Sequence, residues 1–466
     1  MSPGEDESNR AGDVAVVKGQ TQTEPQGPGK GFPWAIFWIA LAVRLVALTM
    51  GHYYRIAPYE DHFAFGWEMG RIARSLAMGQ GYANPFDHFS GPTAWVTPLY
   101  PLILAADFRL FGVYTALSAW VILAFDSLLN ALMVRTTWEI ASRCFGRKVA
   151  AWSEWIWALY PAAMQFAVKW VWEITLTAFL FQWILVLALR MRNVGGAPCE
   201  AENAASTRRW AVFGLLWGLI ALSSASIAIF LPFCGVWILK GAGSLRRQAP
   251  RVVLGAVLCV GCLVPWLVRN ALVFHRFIPM RTNFGAEFSM GNNPYLEGSV
   301  IGSPVAMAHE EALLDEMGEV QYSKMRGREA MERIRRDPGT FVALTVRRFY
   351  YFWADVPHAA IRGKEWTEYA RGLNFQFASI VGVLGMILAL RRRVPGAVLF
   401  AMAFAVIPFV YYFVFVQARF RHPLEPLITI LGVYLFQSAE KSWRVRGFGG
   451  RVLSPQRTQS GQSSNG

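Results

Sequence analysis

One pattern constrains this chain more than any other: apolar runs of roughly bilayer-spanning length (~20 residues) alternate with short stretches that collect the charge. Charged residues make up 16% of the 466 positions and hydrophobic residues 54%, whereas a soluble chain carries about 25% charged. Apolar runs at 33–50, 115–137, 148–166, 172–189, 210–224, 226–240, 252–268, 373–390, 394–414 and 424–439 predict about ten membrane helices. In hydrocarbon the backbone must satisfy its own hydrogen bonds, so runs of this length read as helices. The expected fold class is an all-α polytopic membrane protein.

Basic residues fix the expected orientation. Arg143, Arg147 and Lys148 lie between the second and third runs; Arg190, Arg192, Arg208 and Arg209 follow the fourth. Lys240, Arg246, Arg247 and Arg251 follow the sixth, Arg391–Arg393 the eighth, and Lys441, Arg444 and Arg446 the tenth. Every second loop is basic, which predicts that those loops and both termini are cytoplasmic. This placement also accounts for the formal net charge of +14 without nucleic acid, since no basic stripe or RNA-binding aromatic motif accompanies it. Polar residues 1–32 and the basic segment 441–466 read as disordered cytoplasmic tails around an embedded domain, 33–440. No signal peptide is evident at the start.

Two outer segments are long, 51–114 and 269–372. In the first, Phe63, Trp67 and Leu76 fall on one side and Glu68, Arg71 and Arg74 elsewhere, which predicts a helix lying on the membrane surface. The run 97–111, broken by Asp107 and Arg109, predicts a half-inserted or interfacial helix. In the second segment, 307–336 is acidic at its start and basic at its end, as suits a helix dipole. The stretch 341–353, interrupted by Arg347 and Arg348, predicts another interfacial helix. Cys259 and Cys262 form a C-x-x-C within the apolar stretch 252–264. Without a second pair or a nearby His they read as small helix residues rather than a metal or redox site.

Charge at the outer helix ends is where a membrane enzyme meets both lipid and water. Glu60 and Asp61 follow the first helix, beside His62. Adjacent carboxylates suit a general base or a cation site, and they equally suit a solvated loop. Glu173 opens the fourth helix in Lys169-Trp170-Val171-Trp172-Glu173. A carboxylate among boundary aromatics reads as functional, or as a helix-dipole partner paired with Lys169. Arg419-Phe420-Arg421-His422-Pro423 places two guanidinium groups where the orientation rule disfavours them. A phosphate would explain them, as would lipid-headgroup anchoring. Arg269, in Pro265-Trp266-Leu267-Val268-Arg269-Asn270, is another phosphate candidate, and Lys169 a further cation near the same face.

These residues carry a resemblance to the C-type glycosyltransferase superfamily, in its bacterial branch of protein O-mannosyltransferases and the lipid A aminoarabinose transferase. The likeness spans about 33–440. It begins with Arg44, Glu60-Asp61 and Ile72-Ala73-Arg74-Ser75-Leu76-Ala77-Met78-Gly79-Gln80-Gly81-Tyr82. It continues through Pro98-Leu99-Tyr100-Pro101, Leu110-Phe111-Gly112, Tyr160-Pro161 and Glu173. It closes with the Pro265–Asn270 motif, Asn283-Phe284-Gly285, Gly291-Asn292-Asn293-Pro294, Arg419–Pro423 and Pro426. The resemblance implies a bacterial inner-membrane enzyme that moves a sugar from a polyprenyl-phosphate donor, with inversion, on the outer face. The acceptor would be a glycan, a lipid or a protein. Asp61 best fits the family's catalytic base, with Glu60 adjacent. Glu173 would position the acceptor or a cation, and Arg419 and Arg421 would face the carrier phosphate. No cofactor is implied firmly; a divalent cation stays open.

Two other classes compete. A lipid or glycolipid flippase would show charges within spans and paired, broken halves, whereas here the acids gather at one face. A non-catalytic assembly subunit would be expected to lack both Glu60 and Asp61.

Overall fold

Hydropathy translates directly into helices. The computed structural model describes residues 32–55, 65–86, 88–197, 204–241, 243–294, 304–356 and 365–447, and a helix lies at each of the ten expected spans. The chain is an all-α, polytopic integral membrane protein. Ala116–Phe145, Ile174–Met191, Leu245–Phe274 and Tyr369–Arg391 are long and apolar enough to cross a bilayer by length and composition. Trp34–Met50, Ala225–Leu239 and Ala397–Phe413 are shorter apolar helices.

In chain order, α1 (Trp34–Met50) leads to α2 (Glu68–Ala77) and α3 (Leu99–Phe111) in the segment 51–114. Then come α4 (Ala116–Phe145), α5 (Arg147–Leu159), α6 (Pro161–Val168) and α7 (Ile174–Met191). α8 (Thr207–Ser223), α9 (Ala225–Ala228), α10 (Leu231–Leu239) and α11 (Leu245–Phe274) follow. The segment 269–372 holds α12 (Phe284–Gly291), α13 (Pro304–Met317), α14 (Glu319–Arg336) and α15 (Pro338–Ala354). The chain closes with α16 (Glu365–Arg391), α17 (Ala397–Phe413), a 3-10 turn (Ala418–Leu424) and α18 (Glu425–Gly447).

Proline marks where two expected single spans divide. Pro161 lacks the N–H that would continue α5 and instead opens α6. Pro232 sits in the first turn of α10 after the short α9. At 13 residues, α3 is about 20 Å long and too short to cross the bilayer. α15 crosses the end of α17, with Phe341 stacked on Phe413 and Phe349 against Tyr412.

Association within a bilayer lacks the hydrophobic drive available in water, so small residues and internal hydrogen bonds hold the helices. Gly214 and Gly218, spaced i and i+4 on α8, let α11 approach closely. A Cβ on Gly214 would fall 2.0 Å from the Gly255 carbonyl oxygen, and one on Gly218 2.6 Å from Cys262 Cβ. Cys259 and Cys262 are free thiols at this seam. Arg44 is fully buried on α1. Its Nε and Nη2 donate to Asn130 Oδ1 of α4 at 2.9 and 2.8 Å. Its Nη1 and Nη2 reach the carbonyls of Ala158 and Trp157 on α5 at 2.8 and 3.2 Å. The first motif of the resemblance is therefore a tie between three helices.

Toward the C-terminal end of α4, Glu139 receives Arg135, Arg143 and Arg190 at 2.9, 3.0 and 2.6 Å, joining α4 to α7.

Candidate active site at one end of the bundle

The two long segments, 51–114 and 269–372, are clamped together. Buried Glu319 accepts the Thr93 hydroxyl at 2.6 Å and the Ala94 amide at 2.7 Å. Thr282 N donates back to Ala94 O at 3.0 Å. Arg269 belongs to the same clamp: it donates to the carbonyls of Thr93 and Tyr82 at 2.5 and 2.7 Å and to Asn270 Oδ1 at 3.0 Å. Its guanidinium also lies beside the rings of Tyr82 and Trp266.

The clamp brings a charged cluster together from four stretches of chain. Gly66, at φ +79°, lets the chain before α2 run against Val171, where a Cβ would sit 2.3 Å from the carbonyl oxygen. Trp67 follows in the left-handed region at φ +51°, a conformation non-glycine residues seldom adopt. This unusual turn starts α2 with half-buried Glu68 beside the stretch that ends in Glu173. Glu173 occupies the N-cap position of α7 but makes no side-chain capping bond. Its Oε2 is buried without a hydrogen-bond partner. Lys169 is exposed, with Nζ 4.6 Å above the Tyr53 ring. Among the described residues no ion pair joins it to Glu173.

Arg419 enters from the 3-10 turn, which is seated by Phe420 stacking on Tyr411 at 4.3 Å. Its guanidinium lies 3.8 Å above the Trp172 ring, and it interacts electrostatically with Glu173, Glu68 and Glu287. Glu287, on α12, accepts Arg281 at 3.2 Å and Asn283 Nδ2 at 2.8 Å. Burial pushes the carboxyls of Glu173 and Glu68 above the usual range, with Arg419 pulling both back. Burial likewise lowers Arg419, against the pull of the acids. Burial also opposes the charge on Arg281, but Glu287 and Glu173 outweigh it and raise its pKa. The result is a half-buried group of three carboxylates and two guanidiniums, with Arg281 tied to Glu287 and Arg419 held by an aromatic face and by charge.

Of the residues singled out in the sequence, Glu173 and Arg419 therefore meet. Arg421 does not join them. It is fully buried and donates to Glu425 at 2.6 Å, Ser379 Oγ at 2.7 Å, and the carbonyls of Trp353 and Phe375 at 3.0 and 3.1 Å. Glu60 and Asp61 lie outside the described residues. Sequence reasoning missed Glu68, Glu287 and Arg281. The last two flank the Asn283-Phe284-Gly285 motif, and that position was the available signal. Among the described residues no group of three or more His, Cys, Asp or Glu side chains is arranged to hold a metal ion.

No protein-family model matches the sequence, and no curated protein matches it. Solved structures do share its fold. The archaeal oligosaccharyltransferase AglB of Archaeoglobus fulgidus, in complex with an inhibitory peptide and a dolichol-phosphate, superposes with a TM-score of 0.50 at 17% identity, over 90% of this chain and 52% of that one. Its apo form gives 0.51 at 16% identity, over 89% and 51%. ArnT from Cupriavidus metallidurans, bound to undecaprenyl phosphate, aligns over 91% of this chain and 82% of its own at 16% identity, with a TM-score of only 0.36. The chain shares its fold with the archaeal oligosaccharyltransferase, about half of whose length it spans.

Proposed function

We propose that this protein is a membrane glycosyltransferase that moves a sugar from a polyprenyl-phosphate carrier to an acceptor hydroxyl at the outer face, with inversion. The observation that carries the reading is that Glu173 and Arg419 lie in one charged cluster at one end of the bundle, with Glu173 Oε2 free of hydrogen bonds and the Arg419 guanidinium stacked on Trp172. The shared fold with an oligosaccharyltransferase solved with a dolichol-phosphate supports a lipid-phosphate donor.

Each group then has a chemical task. Asp61, with Glu60 beside it, is the proposed base that takes the acceptor hydroxyl proton as the new glycosidic bond forms. Glu173 orients that acceptor. Arg419 faces the phosphate and stabilises the negative charge left on it as the sugar departs. Arg281 is the second cation within reach of the cluster, whereas the hydrogen bonds of Arg421 and Arg269 give those two a structural task. Placement in a bacterial inner membrane with both termini cytoplasmic completes the proposal.

The test uses the purified protein in lipid nanodiscs with a polyprenyl-phosphate carrying a labelled sugar. The expected result is free polyprenyl phosphate and a glycosylated acceptor. Arg419→Ala should slow release about 10- to 100-fold, as loss of one charge-assisted contact predicts. Redistribution of an intact carrier between leaflets, with no sugar released, would identify a flippase instead.

A further inference from the structure

One buried arginine outside the cluster has no task in the proposed reaction. Arg348 lies on the apolar helix α15 and is fully buried. A guanidinium taken out of water needs acceptors for its donors. Arg348 finds them at the C-terminal ends of two other helices. Its Nη1 donates to the carbonyl of Gly291, the last residue of α12. Its Nε donates to the Tyr412 carbonyl, one residue from the end of α17, at 2.7 Å. Its Nη2 donates to Asn292 Oδ1 at 3.0 Å, and Asn292 Nδ2 donates in turn to the Phe413 carbonyl at 3.0 Å. Carbonyls in a last helical turn lack partners within their own helix and carry the negative end of its dipole. One cation thus closes two helix ends onto each other. The Gly291-Asn292 pair of the sequence motif fits this junction, since a Cβ on Gly291 would collide with the Val414 carbonyl.

The two helix ends lead to the two cations of the cluster. One turn before Gly291, Glu287 holds Arg281 at 3.2 Å. On the other side, the Tyr411 ring stacks on Phe420 at 4.3 Å and seats the turn that brings in Arg419. Tyr411, Tyr412 and Phe413 are consecutive, so the ring that seats the turn and the carbonyls that receive Arg348 and Asn292 share one helical turn. α12 is held separately on α14: Gly285 N donates to Ser323 Oγ at 2.9 Å, and Arg333 Nη2 to Ser289 Oγ at 2.6 Å. The bonds to α14 keep α12 in the fold, whereas those of Arg348 fix it against the end of α17. We infer that Arg348 is a positioning residue that sets the spacing between the Arg281–Glu287 pair and Arg419, and with it the width of the cation pair that receives the carrier phosphate. The inference rests on the proposed role of Arg419 at that phosphate. Arg348 acts through the two helix ends and not on the substrate.

A purely structural arginine and a positioning one differ in how their loss combines with loss of Arg419. Arg348→Lys keeps a cation but lacks the planar fork that reaches both carbonyls and Asn292 together. It should slow sugar release from a labelled polyprenyl-phosphate sugar roughly 10- to 100-fold, as misplacement of a binding group does. In an Arg419→Ala background the same substitution should cost less than about twofold, because the cation being positioned is gone. Asn292→Ser cuts the tie from the α12 side and keeps the test open if the Arg348 variants do not fold. Independently of transfer, spin labels at exposed Phe284 on α12 and Phe409 on α17, in protein whose native cysteines are replaced, report the spacing directly. The distance distribution should be narrow with Arg348 present and broaden in Arg348→Met and Asn292→Ser. The proposal is overturned if the distribution is unchanged in both variants, or if the losses from Arg348→Lys and Arg419→Ala multiply in full. A distance that responds in a protein that releases no sugar would overturn the glycosyl-transfer reading and leave the tie between α12 and α17 standing.

Discussion

Arginine shows best how similar residues come to differ in role. Arg419, Arg421 and Arg269 have the same chemistry and lie toward the same end of the bundle. Arg421 and Arg269 are held by three or more hydrogen bonds each, two of them to backbone carbonyls. Arg419 lies over an indole and among acids. Arg419→Lys keeps the charge but loses the planar face that stacks on Trp172 and the fork that grips phosphate. It should retain carrier binding yet slow transfer about tenfold, less than Arg419→Ala, as measured by turnover at saturating carrier. Arg421→Ala should act mainly on stability, since it strands Glu425 in the interior. A loss of roughly 3 kcal/mol is expected, readable as a lower unfolding temperature in detergent. From the sequence all three arginines looked alike, because an arginine bonded to carbonyls leaves no local signature. Glu173 was legible because an acid among boundary aromatics is unusual in itself.

Among the elements, the spans were the most legible part of the chain, since each needs only a sufficient apolar length. Their interruptions were less so. The 148–166 run divides at Pro161, and the 226–240 run divides before Pro232. By contrast, Pro250 and Pro265 are accommodated inside α11. The sequence puts Glu68 off the apolar side of a surface helix and gives it no further task. Its actual position follows from Gly66 and Trp67, whose positive φ angles turn α2 toward a segment a hundred residues away. Contacts of that range carry no periodicity to read. Gly66→Ala would press a methyl group into the Val171 carbonyl at a backbone conformation alanine resists. It should cut transfer more than it lowers the unfolding temperature, because the strain falls on the site rather than on the bundle.

At the scale of the whole molecule, buried polar ties hold an apolar bundle in one arrangement and gather charged residues at one end. Arg44 joins α1, α4 and α5, and Arg44→Met should lower the unfolding midpoint by removing bonds worth roughly 2–3 kcal/mol. Glu319 and Arg269 clamp together the two long segments that supply Glu68, Glu287 and Arg281 to the cluster with Glu173 and Arg419. The central claim is that this end performs base-assisted transfer from a lipid phosphate. Its most direct test measures sugar transfer and carrier binding together in wild type, Asp61→Asn and Glu60→Gln. The account predicts that Asp61→Asn binds the polyprenyl-phosphate sugar normally and transfers it about 10²–10⁴ times more slowly, as loss of a general base requires. Full transfer by both Asp61→Asn and Glu60→Gln would contradict it.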